Sequence, residues 1–146
     1  MKKMLQLIAA ALTVLTVAVS CKSGAEDPFN GLIGSWQAVM VAGAPKITYD
    51  VRQPEITFRE DGFVSGYTGL NNFDTRFSVD HEKNLTLNEV VSTKKAGTEP
   101  VMAFERLFMT GLQNTARFDV SGDTLTFFGA DGSKVMTFKK KPAGQP

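Results

Sequence analysis

The sequence predicts an α+β domain: a curved antiparallel sheet, or partly closed β-barrel, of about eight short strands with one amphipathic helix packed against it. Three observations carry this. Short apolar segments alternate with period two and are separated by Gly- and Asp-containing turns. One stretch, Glu99 to Asn114, breaks the alternation with helical spacing. A single helix cannot supply the crossovers of a parallel sheet, so short links between strands imply an antiparallel meander.

The first strand is predicted at Ser35 to Ala42, with Trp36, Ala38 and Met40 on one face and Val39 and Val41 on the other. Gly43-Ala44-Pro45 turns the chain. Glu55–Phe58 and Phe63–Thr68 read as a hairpin about Asp61-Gly62, since Gly accepts a positive φ without steric cost. Gly66 and Gly69 suggest a bulge or sharp bend. Asp74–Val79 and Asn84–Asn88 pair across the polar tip Asp80-His81-Glu82-Lys83, and Val90–Lys94 adds a short strand.

In the helix, Val101, Phe104, Leu107, Phe108 and Leu112 share one face. Thr98 can cap its start, Glu99 suits the positive end of the dipole, and Pro100 is tolerated in the first turn. Gly111 weakens the last turn. Strands resume at Arg117–Val120, Thr124–Phe128 and Lys134–Phe138, linked by Ser121-Gly122-Asp123 and Asp131-Gly132.

The N-terminus follows different rules. Met1-Lys2-Lys3 is basic, Met4 to Val19 is nearly all apolar, and Ala18-Val19-Ser20 are followed by Cys21, the single cysteine of the chain. Charged start, apolar run and small-residue junction form the layout of a secretory leader. The run is marginal for a spanning helix, which needs about 20 apolar residues. A cysteine directly after the junction resembles the lipobox of bacterial lipoproteins, in which that thiol carries diacylglycerol. The expected organisation is a leader at 1–20, a flexible spacer at 21–31 after lipidated Cys21, a domain at 32–139 and a disordered tail at 140–146. Without the leader, 126 residues remain, enough to bury a core without disulfides.

Charge points to no particular partner. The leader removes Lys2 and Lys3, leaving 14 Lys and Arg against 15 Asp and Glu. That balance argues against nucleic acid, which calls for a basic excess on one face. Lys139-Lys140-Lys141 is the one dense basic run and is expected to be solvated.

Several motifs in fixed order resemble the META domain of HslJ-type bacterial envelope proteins. They are Gly34-Ser35-Trp36, Ile56-Thr57-Phe58 with Asp61-Gly62, Ser65-Gly66-Tyr67-Thr68-Gly69, Asn71-Asn72-Phe73, Ser92-Thr93-Lys94 ahead of Met102-Ala103-Phe104-Glu105, and Gly122-Asp123-Thr124-Leu125. The resemblance implies a small β-rich domain with one helix, often lipid-anchored and associated with stress. It brings no catalytic residues and no cofactor. Many such domains have cysteines where this chain has Leu70 and Gly97. If relatives bridge those positions, this chain has lost both halves.

Chemistry is sparse. His81 is the single histidine and lies in a charged turn, so neither a Ser/His/Asp set nor a metal site is expected. Glu60-Asp61 belongs to a turn and Glu26-Asp27 to the spacer. Gly66-x-x-Gly69 lacks the Lys-Ser/Thr of a phosphate loop. Asn71, Asn72, Arg76 and Lys94 are the candidate binding residues, lining a polar groove beside the bent hairpin. The expected function is non-enzymatic. It is a monomeric binding or interaction module, moored through Cys21 to the bilayer of the bacterial envelope, at the outer membrane and facing periplasm or cell surface. Its partner is expected to be an envelope protein or component. The alternative is a periplasmic carrier holding a small apolar ligand inside the curved sheet, since the chain has eleven phenylalanines and curved sheets can enclose a cavity.

Overall fold

The computed structural model describes residues 27–45 and 52–142; the expected leader, Cys21, the expected spacer as far as Glu26 and the last four residues lie outside the described residues. Nine strands form one antiparallel sheet: β1 Gly34–Val41, β2 Glu55–Phe58, β3 Phe63–Tyr67, β4 Asn72–Val79, β5 Leu85–Leu87, β6 Val91–Ser92, β7 Arg117–Ser121, β8 Thr124–Phe128 and β9 Lys134–Lys140. Two helices accompany them, α1 at Pro28–Leu32 and α2 at Glu99–Asn114. Eight strands run in the order β5-β4-β3-β2-β1-β9-β8-β7, and β6 pairs with β4 beside β5.

The sheet curls until its ends meet. The Leu85 N–H donates to the Ala116 carbonyl at 2.9 Å and the Phe118 N–H to the Lys83 carbonyl at 3.1 Å, flanking a bridge between Asn84 and Arg117. This short seam makes a nearly closed barrel, as the alternating pattern and short links predict. Its interior is solid. Trp36, Ile56, Phe58, Val64, Phe108, Leu125, Phe127, Met136 and Phe138 are buried to 1% exposure or less. Aromatic rings meet edge to face, as in Phe58 on Phe127 and Phe127 on Phe138.

Each open end of the barrel is stoppered by a helix. α2 covers one. Phe108 touches Phe73, Phe104 and Phe138, and Leu107 reaches Gly43 beyond the end of β1. Gly111 serves this packing: a Cβ there would lie 2.9 Å from Met136 Sδ, so its loss of helix propensity permits close approach. Thr98 occupies the N-cap position but makes no side-chain capping bond. α1 covers the other end. Its Asp27 carboxylate accepts from the Phe29 N–H at 3.0 Å, Pro28 opens the turn, Phe29 stacks on Phe77, and Leu32 is fully buried. The indole N–H of buried Trp36 donates to the Leu32 carbonyl at 2.7 Å. Residues 28–31 therefore belong to the domain and not to the expected spacer, because the barrel needs this second stopper.

Three further expectations are corrected. In β1 the register against β9 shifts between Ala38 and Met40, which leaves Val39 exposed and turns Val41 inward beside Trp36 and Ala38. Gly66 marks no bulge; β3 pairs regularly on both sides, and a Cβ there would lie 2.3 Å from the Phe73 ring, so the position needs Gly for contact. The basic run is no loose tail. Lys139 and Lys140 end β9, Lys139 pairs with Asp123 at 2.8 Å, Lys140 lies over the Trp36 ring, and Lys141 pairs with Glu55 at 2.6 Å.

Phe108→Ala is expected to lower unfolding stability by about 3–5 kcal/mol, the cost of a cavity under a fully buried ring. A denaturant midpoint equal to that of the parent would contradict the stopper role of α2.

Candidate functional site

The registers sort the loops between the two ends. Gly34 pairs with Phe58, and the Arg59–Gly62 turn, the Asp80–Lys83 turn and the Gly122-Asp123 turn share the α1 end. The β3–β4 connection, the Ser92–Thr98 segment and α2 occupy the opposite end.

At the α2 end, Asn71 is 3% exposed. Its Oδ1 accepts from the Lys95 backbone N–H at 2.7 Å and from Thr93 Oγ1 at 2.8 Å. Its Nδ2 donates to the Lys95 carbonyl at 3.2 Å and to Glu105 Oε2 at 3.1 Å. The carboxamide thus pairs with Lys95 as a backbone peptide would. It adds one rung to the β4–β6 ladder and ties that rung to α2. Thr68 completes the cluster. Its hydroxyl donates to Glu105 Oε1 at 2.8 Å and accepts from the Asn71 N–H at 2.9 Å. Every polar atom of the Asn71 side chain is used within the fold.

Above this buried floor lies a cleft of about 430 Å³, walled by Ser92 to Ala96 on one side and by Met102, Glu105, Arg106 and Met109 of α2 on the other. The Lys94 and Lys95 side chains are exposed, and among the described residues neither has a carboxylate partner. Arg106 pairs with Glu99 at 2.6 Å, but both are more than half exposed, so the pair is weak. The cleft combines a cationic rim with the apolar sides of two methionines.

Of the four candidate binding residues, the structure brings together Asn71 and Lys94. Asn72 lies on the outer sheet face in a separate depression of about 390 Å³. Arg76 lies over the Phe63 ring, 3.9 Å from its centroid, and does not reach either. The reason is the pleat: Asn71 turns inward before β4 begins, whereas Asn72 and Arg76 face outward along it. Lys95, Met102, Arg106 and Met109 were not among the candidates. The helical spacing of Met102, Arg106 and Met109 was the available signal, since it puts them on one flank of α2.

The outer-face depression holds Glu55, flanked by Arg52, Thr57, Ser65 and Asp74. Partial burial raises the Glu55 carboxyl, but hydrogen bonds from Lys141 and Arg52 outweigh that and hold it below its ordinary value of 4.5. A third cleft, about 540 Å³, lies by the barrel seam and is lined by His81, Lys83, Arg117 and Asp119 among others. Asp80, next to His81, accepts from the Asn84 side chain and backbone, which hold its carboxyl low and stabilise the turn. The positions of Leu70 and Gly97 prove adjacent: a Cβ on Gly97 would sit 3.0 Å from Leu70 Cδ1. Leucine here packs over the place where a second side chain would stand.

Comparison with known proteins follows the same outline. The family model described as META domain matches residues 30–142. A protein solved by NMR shares the fold with TM-score 0.61 and 22% identity, over 78% of this chain and 94% of that one. An NMR structure from Burkholderia xenovorans matches with TM-score 0.61 and 16% identity, over 97% of this chain and 99% of its own. A DUF4847 family protein from Bacteroides vulgatus gives TM-score 0.56 and 15% identity over 77% and 96%. No curated protein matches the chain.

Asn71→Ala is expected to cost about 2–3 kcal/mol, because it strands polar partners at Lys95 and Glu105. Asn71→Asp is expected to be no better at neutral pH, since it sets a carboxylate oxygen against Glu105. Faster amide exchange at Lys95 checks both. Glu55→Gln gives the pH signature. The depressed carboxyl adds stability above pH 4.5 that disappears as pH falls through its lower folded value. The variant should be about 1 kcal/mol less stable at pH 7 and match the parent in strong acid. A gap that persists at low pH would contradict the pairing with Lys141.

Proposed function

Since the chain belongs to the META domain family, we propose that it is a lipid-anchored binding module of the bacterial cell envelope, contacting an envelope partner through its surface. Anchoring is carried by the junction Ala18-Val19-Ser20-Cys21 behind a basic start and an apolar run. A thiol bearing more than one acyl chain holds a domain firmly, where a single chain binds only marginally.

Surface contact is favoured over ligand carriage by the packing of the barrel. The aromatic side chains that suggested a cavity fill the interior themselves, with Trp36, Phe108, Phe127 and Phe138 fully buried. The clefts with exposed charged side chains lie outside that core. Geometry then suggests an orientation. Five residues lie between Cys21 and Asp27, six steps of chain with a reach of about 20 Å when extended. In this reading the α1 end stays near the lipid, and the cleft beside α2 faces away from it.

Cys21→Ser is expected to move the protein from the membrane to the soluble fraction of its own cell, with a mass that lacks acyl chains. Membrane retention equal to the parent would overturn the anchoring.

A further inference from the structure

The wall of the α2 cleft is a strand edge, and its hydrogen-bonding phase can be read from the register. Phe73 pairs with Ser92, while the Thr93 N–H donates to the Asn72 carbonyl at 3.0 Å. Ser92 and Phe73 are therefore a non-hydrogen-bonded pair, with the Ser92 N–H and C=O directed away from β4. Thr93 faces β4, and Lys95 faces inward to the Asn71 carboxamide. The alternation sends the Lys94 N–H and C=O outward as well. Ser92 and Lys94 thus present two successive peptide units toward the cleft, two residues apart, the repeat of an added strand.

Open edges of this kind invite another strand. The side chains around this one select its character. Lys94 and Lys95 carry positive charge with no carboxylate partner among the described residues, and Arg106 is held only by the exposed Glu99. The Glu105 carboxylate is engaged by Thr68 and Asn71 on both oxygens. Counting Glu99 and Glu105 against the three cations leaves the cleft net positive, and Met102 and Met109 offer adaptable apolar contact.

The geometry points to Ser92–Lys95 as a docking edge for an extended acidic peptide segment of a partner protein, which adds as a strand in the cleft beside α2. This names the partner chemistry for the binding reading above and rests on it. Backbone bonds to Ser92 and Lys94 supply the register. Acidic side chains of the peptide meet the lysines and Arg106, and an apolar residue between them lies over the methionines.

The test uses the whole chain in detergent and three synthetic capped peptides: alternating Glu and Val over seven residues, the same peptide N-methylated at alternate positions, and the Lys/Val counterpart. Isotope-labelled protein is titrated to 1 mM peptide and followed by NMR. The Glu/Val peptide is expected to shift the amides of Ser92, Lys94 and Arg106 and to saturate. N-methylation on the pairing edge and the Lys/Val counterpart should each weaken binding at least tenfold. Ser92→Pro removes an N–H that the fold does not use, and Lys94→Glu with Lys95→Glu reverses the charge. Both variants should keep the parent melting temperature and lose at least tenfold in affinity. Equal binding of the N-methylated peptide, shifts centred on the His81 cleft, or no binding by any peptide at 1 mM overturns the docking edge. Capture from envelope extract that survives Ser92→Pro undamaged would sink this edge while leaving a binding module intact. An anchored protein that captures nothing would sink the module itself.

Discussion

A small antiparallel barrel has two open ends, and water must be kept from both. That constraint organises this molecule. Closing the sheet satisfies backbone groups along the seam between β5 and β7, but it leaves the core exposed above and below. α2 solves one end with Phe104, Phe108 and Leu112, and α1 solves the other with Phe29 and Leu32. The two stoppers differ in how they are held. α2 is sixteen residues long and carries its own apolar face. α1 is one turn, too short to persist alone, and depends on the Asp27 cap, the Phe29–Phe77 stack and the Trp36 bond to Leu32.

Most of the architecture was legible because its signals are local. Period-two alternation marked the long strands, and helical spacing marked α2 to the residue, from Glu99 to Asn114. What escaped was set by tertiary contact. α1 has a legible cap, Asp27 before Pro28, but a five-residue helix carries too little periodicity to stand out from a polar spacer. The bulge in β1 arises from pairing with β9, which the sequence of β1 alone does not record. Lys139, Lys140 and Lys141 looked like a solvated tail because charge runs usually are. Their partners Asp123, Trp36 and Glu55 are remote in sequence and become neighbours only through β9 pairing with β1 and β8.

The site was half legible for the same reason. Asn71 and Lys94 were singled out by their chemical type, and the structure puts both at one cleft, Lys94 on its exposed rim and Asn71 in its floor with a carboxamide already spent on the fold. Asn72 has the same side chain as its neighbour but the opposite side of the pleat, and no composition argument separates the two. Arg76 is drawn to the exposed ring of Phe63 across the β3–β4 pair, which partly covers an apolar surface that would otherwise face water.

Asn71 also shows how completely the floor of this end of the barrel is committed to the fold. A backbone strand would need two more residues to pair with Lys95; one carboxamide does it from the side and still has a hydrogen left for Glu105. The second N–H is what turns a ladder rung into a joint between sheet and helix. Because the floor of the cleft is consumed in holding α2 over the core, it has no free donor to offer a partner. At the proposed docking edge only the rim is free of structural duty: Lys94, Lys95 and Arg106 are exposed and cost the fold little when they change. The Leu70–Gly97 contact follows the same division. It packs the base of the Ser92–Thr98 segment with apolar atoms, and so holds the edge in place without occupying the groups that the edge presents.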